Sequence, residues 1–436
     1  MTPETGPGSR GPEHGDGSGG ASLPLEGLRV LDCATLFAGP VVGMIMADFG
    51  ADVIKVEHPR GDALRGLGWH KDGVSLWWTV VARNKRCITL DLSSREGQDA
   101  LRRLAVEADV LVENFRPGTL ERWKLGPETL HELNPGLVVL RVTGFGQTGP
   151  YRDRPGFGTL AEAMSGYAHI NGWPDGPPTL PPFALGDGVA ALTGAFAVMF
   201  ALWWREHGGG GRGQVIDLSI LESLFWLLGP QSTVYDQLGL VQGRTGNATT
   251  WTAPRNVYRA ADGTWLALSA STQSIAVRVM KIVGREDLID KPWFQDHTGR
   301  VEHAAELDEI IQDWIGQRNA GEVIDAFAEF EGAIAPIYSI ADIFEDPQFQ
   351  ARGAIASVEH PTLGSVRMQS VNPRFSRSPG RIEHAGPPIG AHNRDVLVDE
   401  LGLSARELGL PDETSDLPPE AAASAAAPLA AEERSP

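Results

Sequence analysis

One carboxylate in this 436-residue chain stands apart from the rest. In residues 183–207, FALGDGVAALTGAFAVMFALWWREH, Asp187 lies between two glycines, directly ahead of an almost wholly apolar run. Neighbours without side chains leave a carboxylate uncovered, and two kinds of work suit it. An Asp at a helix start often accepts hydrogen bonds from the first free backbone N–H groups, and on these letters alone that capping role is the commoner outcome. A bare carboxylate at the same place could instead be a nucleophile, with backbone N–H groups and the helix dipole holding an anionic intermediate. Both readings stand at this point.

A second chemistry-bearing group is cationic. Arg60, Arg65, Arg83, Lys85, Arg86, Arg116, Arg122 and Lys124 lie close together in sequence, mostly at strand ends or in the loops after them. In open α/β sheets the carboxyl ends of strands are where ligands bind. ENFRPGTLERW is the most pointed stretch: Asn114 can read an adenine edge or a phosphate, and Arg116 and Arg122 can take phosphates bidentately. Solvated surface charge is the alternative for any one of them. Two glycine patterns carry less. GFGQTG (144–149) fits a dinucleotide fingerprint, but Pro150 follows at once and no helix does. GGGGRGQ (208–214) lacks the Lys-Ser/Thr end of a phosphate loop and reads as a turn after a helix. No His/Cys/Asp/Glu group has metal-ligand spacing, so no metal is expected.

The elements that must position these residues alternate strand and helix. LRVLDCA, ADVIKVEHP, CITLDL, DVLVENF and GLVVLRVTGF read as strands, with GPVVGMIMADFG a helix closed by Gly50 and SSREGQDALRRLAVEA a helix capped by Ser93 or Ser94. That pattern is α/β, with an open parallel sheet. The run after Asp187 offers 16 residues before Arg205, short of a bilayer span, and is expected to be a buried helix. Beyond about Gly239 the elements become shorter and mixed, with a hairpin turning at Asp262-Gly263 in NVYRAADGTWLALSA. The expected organisation is a disordered N-terminal tail (1–22), a large domain (23–239), a small α+β domain (240–338), a return to the large domain (339–410) and a disordered acidic Ala/Pro tail (411–436).

Net charge is −19, of which the tails carry −2 and −5. An acidic folded part argues against nucleic acid as partner, though not against a small polyanion in a basic pocket. Cys33 and Cys87 read as reduced core residues, and no signal-peptide pattern opens the chain, so a cytoplasmic protein with no membrane partner is expected.

With these residues in view, the chain resembles the class III CoA-transferases, the CaiB/BaiF type that includes formyl-CoA transferase and carnitine CoA-transferase, with α-methylacyl-CoA racemase as a cousin. The marks run from Leu25 to Leu403: LEGLRVLD, AGP, FGADVIKVEHPRGD, NKRCITLDL, ADVLVENFRPG, GFGQTGPYRDRPGF, AMSGYAHINGWPDGPP, LGDGVAAL, GRGQVIDLS and PPIGAHNRDVL. The resemblance places the family's catalytic aspartate on Asp187, where it would form an aspartyl anhydride and then an aspartyl-CoA thioester. No ATP is then needed, and CoA is exchanged as substrate rather than held as a resident cofactor. It implies CoA contacts at Phe37, Ala38, Asn114, Phe115 and Arg122, with Arg116 as a neighbour. His58 stands where formyl-CoA transferase has an arginine, and Arg60 could substitute. The family fold implied is a Rossmann-like large domain with a small domain, in an interlocked, ring-like homodimer. Two departures bear on substrate. GRTGNATTWTAP lacks the glycine-rich flap of formyl-CoA transferase, leaving formyl and oxalate unsupported. The racemase's His-Asp pair is replaced by Phe157 and Gly158, and racemisation needs a base on each face of the α-carbon. Besides CoA transfer to a free carboxylic acid, the alternatives are a 2-methylacyl-CoA racemase and a CoA-binding protein without catalysis.

Overall fold

The computed structural model describes residues 22–404, so both predicted tails, apart from Ser22, and residues 405–410 lie outside the described residues. Six strands form one all-parallel sheet: β1 (Arg29–Asp32), β2 (Asp52–Glu57), β3 (Lys85–Thr89), β4 (Val110–Glu113), β5 (Val138–Thr143) and β6 (Val215–Ser219). Their order across the sheet is 3-2-1-4-5-6. Chain direction across the sheet reverses between β1 and β4, and a crevice opens outside the carboxyl ends of strands at such a switch point.

Alternation along the strands sends successive residues to opposite faces. Val30, Val53, Val110, Val112, Val138 and Leu140 pack under α1 (Ala38–Asp48) and α4 (Leu185–His207). Leu31, Ile54, Ile88, Leu111 and Val139 pack on the other face against α2 (Arg95–Val106). The expected helix boundaries hold locally. Gly50 adopts φ +100° after α1, a conformation glycine reaches without strain. Ser94 caps α2 by accepting from the Gly97 N–H at 3.0 Å.

The helix after Asp187 departs from expectation. It spans 23 residues, enough by length and composition to cross a membrane, yet its inner strip is packed against α1 and the sheet. That strip is small-sided: Ala190, Ala191, Gly194, Val198 and Ala201 are buried, and a Cβ on Gly194 would meet Val42, Leu140 and Leu218 at 3.0–3.1 Å. The outer face is bare rather than buried, with Leu192, Phe200 and Trp203 each about two-thirds exposed and Trp226 of α5 (Ile220–Leu227) 78% exposed. Apolar composition on every side shows that a helix is covered somewhere; it does not show which faces this chain covers itself.

Before α4 comes the short helix α3 (Gly158–Met164). A second core, from Ala253 to Phe327, lies beneath an antiparallel sheet of β7 (Arg255–Arg259), β8 (Trp265–Ser269) and β9 (Ile334–Pro336). The hairpin between β7 and β8 turns through Gly263, at φ +89°. The chain then returns to the large sheet. His392 accepts the Cys87 N–H at 3.0 Å, Asn393 accepts the Thr89 N–H at 2.8 Å, and Val396 and Leu397 enter the second-face core.

Candidate active site

The turn after β1 is shaped from below by buried charge. Lys85 reaches Asp32 at 2.9 Å and the Pro40 carbonyl at 2.6 Å; Lys55 reaches Asp62 at 3.0 Å and donates to the Ala34 carbonyl. Asp62 accepts the Leu36 N–H at 3.1 Å, and Leu36 is held at φ +65°. Buried ion pairs contribute little net stability, so the consequence to follow is the shape they impose. That shape presents residues 35–38 at the sheet's carboxyl edge.

Asn114 completes the turn, in a role its sequence position did not suggest. Its amide bonds the backbone: Oδ1 accepts the Thr35 N–H at 2.8 Å and Nδ2 donates to the Thr35 carbonyl at 2.7 Å. The side chain clasps β4 to the turn after β1 across the switch point. Two hydrogen bonds of roughly 1 kcal/mol each are worth about a thirtyfold change in an equilibrium. Asn114→Ala is therefore expected to raise KM for an acyl-CoA donor about thirtyfold with kcat little changed; an unaltered KM would detach the clasp from substrate binding.

A cavity of about 140 Å³ opens here, lined by residues 35–38, 114–117 and 142–144, by Arg152, Arg154, Gly156 and Phe157, and by Asp187 and Ile220. It can take the reacting end of a substrate but not a whole CoA molecule, since pockets enclosing ligands of that size are several times larger. Of the residues expected to contact CoA, Phe37, Ala38, Asn114, Phe115 and Arg116 line this cavity with Asp187. His58, Arg60 and Arg122 do not. His58 Nδ1 accepts the Arg60 N–H at 3.0 Å just past β2, and Arg122 donates to Thr119 Oγ1 at 2.8 Å.

The cationic cluster is half consumed internally. Arg65 pairs with Glu57 at 2.7 Å, Arg83 with Asp48 at 2.6 Å, Arg86 with Asp52 at 2.7 Å and Lys85 with Asp32. Those four are structural. Arg152 and Arg154, in the loop YRDRPGFG, instead reach the cavity, and only the motif GFGQTGPYRDRPGF hinted at them.

Asp187 is the third residue of α4, and it is not the cap. Ala184 occupies that position, and the carboxylate accepts no hydrogen bond among the described residues. Glu162 of α3 does the capping, its Oε1 accepting the Gly186 N–H at 3.0 Å. The two helix starts meet closely enough that a Cβ on Gly186 would come 2.9 Å from the Gly158 carbonyl oxygen. A Cβ on Gly158 would stand 2.5 Å from Asp187 Oδ2. The absent side chain at Gly158 is thus the space the carboxylate occupies. Burial, and then the nearby Glu162 charge, raise the Asp187 pKa from its ordinary value to about 6. The N–H of Asp187 also has no acceptor among the described residues. The arrangement is an ionisable, unpaired carboxylate with a free donor beside it, open to a cationic cavity.

The family model described as CoA-transferase family III matches residues 25–393. The chain is 44% identical over 389 residues to the succinyl-CoA–D-citramalate CoA-transferase of Chloroflexus aurantiacus, covering 89% of this chain and 96% of that one. It is 31% identical over 391 residues to the human succinyl-CoA:glutarate CoA-transferase, covering 88% of each. Among solved structures, a CAIB/BAIF family protein from Brucella suis superposes with a TM-score of 0.76 at 31% identity, over 87% of this chain and all but 1% of that one.

Proposed function

Because the chain belongs to CoA-transferase family III, and so moves CoA from an acyl-CoA to a free carboxylic acid, we propose that Asp187 is the group that carries the acyl chemistry. The observation behind this is its carboxylate: unpaired, in the first turn of α4, with the capping work done by Glu162. The Asp187 carboxylate attacks the thioester carbonyl, forming a mixed anhydride and expelling CoA thiolate. The thiolate attacks the Asp187 carbonyl, giving an aspartyl-CoA thioester and releasing the donor's carboxylate. An acceptor carboxylate then attacks that thioester, and the freed thiolate takes the acceptor's acyl group from the resulting anhydride. Asp187 is regenerated. Each step exchanges one activated acyl bond for another, and the free N–H of Asp187 can bind the oxyanion that each attack creates.

The related enzymes named above act on succinyl-CoA with citramalate or glutarate, and another relative on L-malate. We place this chain with them: succinyl-CoA as donor and a short dicarboxylic acid as acceptor. Arg152 and Arg154 supply the positive charge that the second carboxylate needs. The nucleotide end of CoA would extend past the cavity toward His58, Arg60 and Arg122. The racemase reading loses further ground at Gly158, since any acidic side chain there would displace the Asp187 carboxylate.

The 3-2-1-4-5-6 strand order supports a Rossmann-like large domain, and the second core supports a small domain over about 240–338. The bare apolar face of α4 and α5, where Leu192, Phe200, Trp203 and Trp226 stand exposed, supports an interlocked homodimer. The two buried free thiols, Cys33 and Cys87, support a cytoplasmic location.

Two measurements test the chemistry. Incubation with succinyl-CoA and hydroxylamine should inactivate the enzyme and leave a hydroxamate on the peptide containing Asp187; donor-independent inactivation, or modification elsewhere, would contradict it. With an Asp187 pKa of about 6, the nucleophilic ionised form dominates above that pH. We expect kcat/KM for the donor to fall about tenfold per pH unit below it. An activity flat down to pH 5 would exclude Asp187 as the titrating nucleophile.

A further inference from the structure

We propose that Glu162 is a positioning residue for CoA transfer: it takes over the capping of α4 so that Asp187 stays unpaired, and its charge favours the acylated, uncharged forms of Asp187. This rests on Asp187 being the acylated group.

The geometry is specific. Glu162 is buried, at 3% exposure, in the middle of α3, and a buried carboxylate needs a partner. Its Oε1 accepts the Gly186 N–H at 3.0 Å, one of the donors that a helix start leaves unpaired. Without it, Asp187 is the nearest acid in the same turn, and an Asp in a first turn tends to bond such donors. A carboxylate held that way would face the helix rather than the cavity.

The charge has a separate effect. Asp187 carries a negative charge as a free carboxylate and none as an anhydride or thioester, the electron pair having left on the thiolate or on the released acid. An adjacent anion disfavours the free form alone, so it tilts the exchange toward the covalent one and makes the carboxylate more basic. Among the described residues, Glu162 is the charge that shifts the Asp187 ionisation. The other charged groups nearby are placed or engaged differently. Asp48 of α1 is paired with Arg83, Arg141 of β5 with Glu113 and Glu121, and Asp217 of β6 accepts the Gln147 N–H. Glu222 lies on α5, Tyr167 and His169 on the short helix packed against α3, and Arg116, Arg152 and Arg154 line the cavity.

Glu162→Gln and Glu162→Ala separate the two effects, measured as pH profiles of kcat/KM with succinyl-CoA and as the steady-state amount of the Asp187 adduct. The Gln amide oxygen can still accept the Gly186 N–H. That variant should keep most of its kcat at pH 8 while its acid limb moves to lower pH and its adduct declines. Glu162→Ala loses the cap as well, and should lose about 10²-fold in kcat, the scale of an ångström's misplacement of a reacting group. A Gln variant with the wild-type acid limb and adduct level would overturn the charge effect. An Ala variant no worse than the Gln variant would overturn the capping effect. Failure to find any adduct at Asp187 in the wild type would instead overturn the reading on which this one rests.

Discussion

Asp187→Asn is expected to abolish CoA transfer and to raise the melting temperature of the protein at neutral pH. Removing a group that forms the covalent intermediate costs roughly 10⁴-fold or more in kcat. The stability gain follows from the same environment. Folding raises the Asp187 pKa from 3.8 to about 6, so the folded state binds its proton more tightly than the unfolded chain does. Stability therefore falls as pH rises through that window, and the full cost, on the order of 3 kcal/mol, is present above pH 6. The neutral amide carries no such cost. The Asn variant should melt a few degrees higher than the wild type at pH 7.5, with the difference disappearing below pH 4. Unimpaired turnover would remove Asp187 from the chemistry, and a lower melting temperature at pH 7.5 would mean that its carboxylate stabilises the fold.

Gly158→Ala should cost about 10²-fold in kcat while leaving the protein folded. Gly158 is the first residue of α3 and has no positive φ, so alanine fits the backbone there and favours the helix. Its methyl carbon, however, would lie 2.5 Å from Asp187 Oδ2 and 3.2 Å from the Asp187 nitrogen. The side-chain oxygen is the easier of the two to move, so the carboxylate rotates from its place, and misplacement on that scale has that kinetic consequence. Gly158→Asp adds a second negative charge to the same crowding and should be worse. Wild-type kcat in the alanine variant, with circular dichroism unchanged, would show that the carboxylate does not work from the position described.

The sheet was legible because its strands are short β-branched runs whose two faces are both buried, and because Gly50 and Ser94 mark helix ends by local chemistry. Asp187 was legible as an acid with bare neighbours, and of the two roles left open for it the capping one falls to another residue. The donor it was expected to serve is taken by Glu162, 24 residues earlier, and no local pattern announces a partner that tertiary contact brings in. The same limit explains the cations. Arg83 and Lys85 look alike in sequence to Arg116, yet their acids, Asp48 and Asp32, are 35 and 53 residues away. The Asn114 amide also holds the Thr35 backbone, a contact 79 residues away in sequence that no local pattern announces. Arg152 and Arg154 were passed over as loop, since nothing in their own neighbourhood points them into a cavity. For α4, composition could not distinguish the face that packs on the sheet from the face left bare.

The most direct test follows one oxygen atom. An acceptor acid with both carboxylate oxygens labelled as ¹⁸O attacks the aspartyl thioester and leaves one of them on Asp187 when the thiolate departs with its acyl group. After a single turnover in unlabelled water, the peptide bearing Asp187 should gain about 2 Da, a single ¹⁸O, and tandem mass spectrometry should place it on that side chain. Full turnover with an unlabelled Asp187 would mean that CoA passes between the acids without ever being joined to this aspartate.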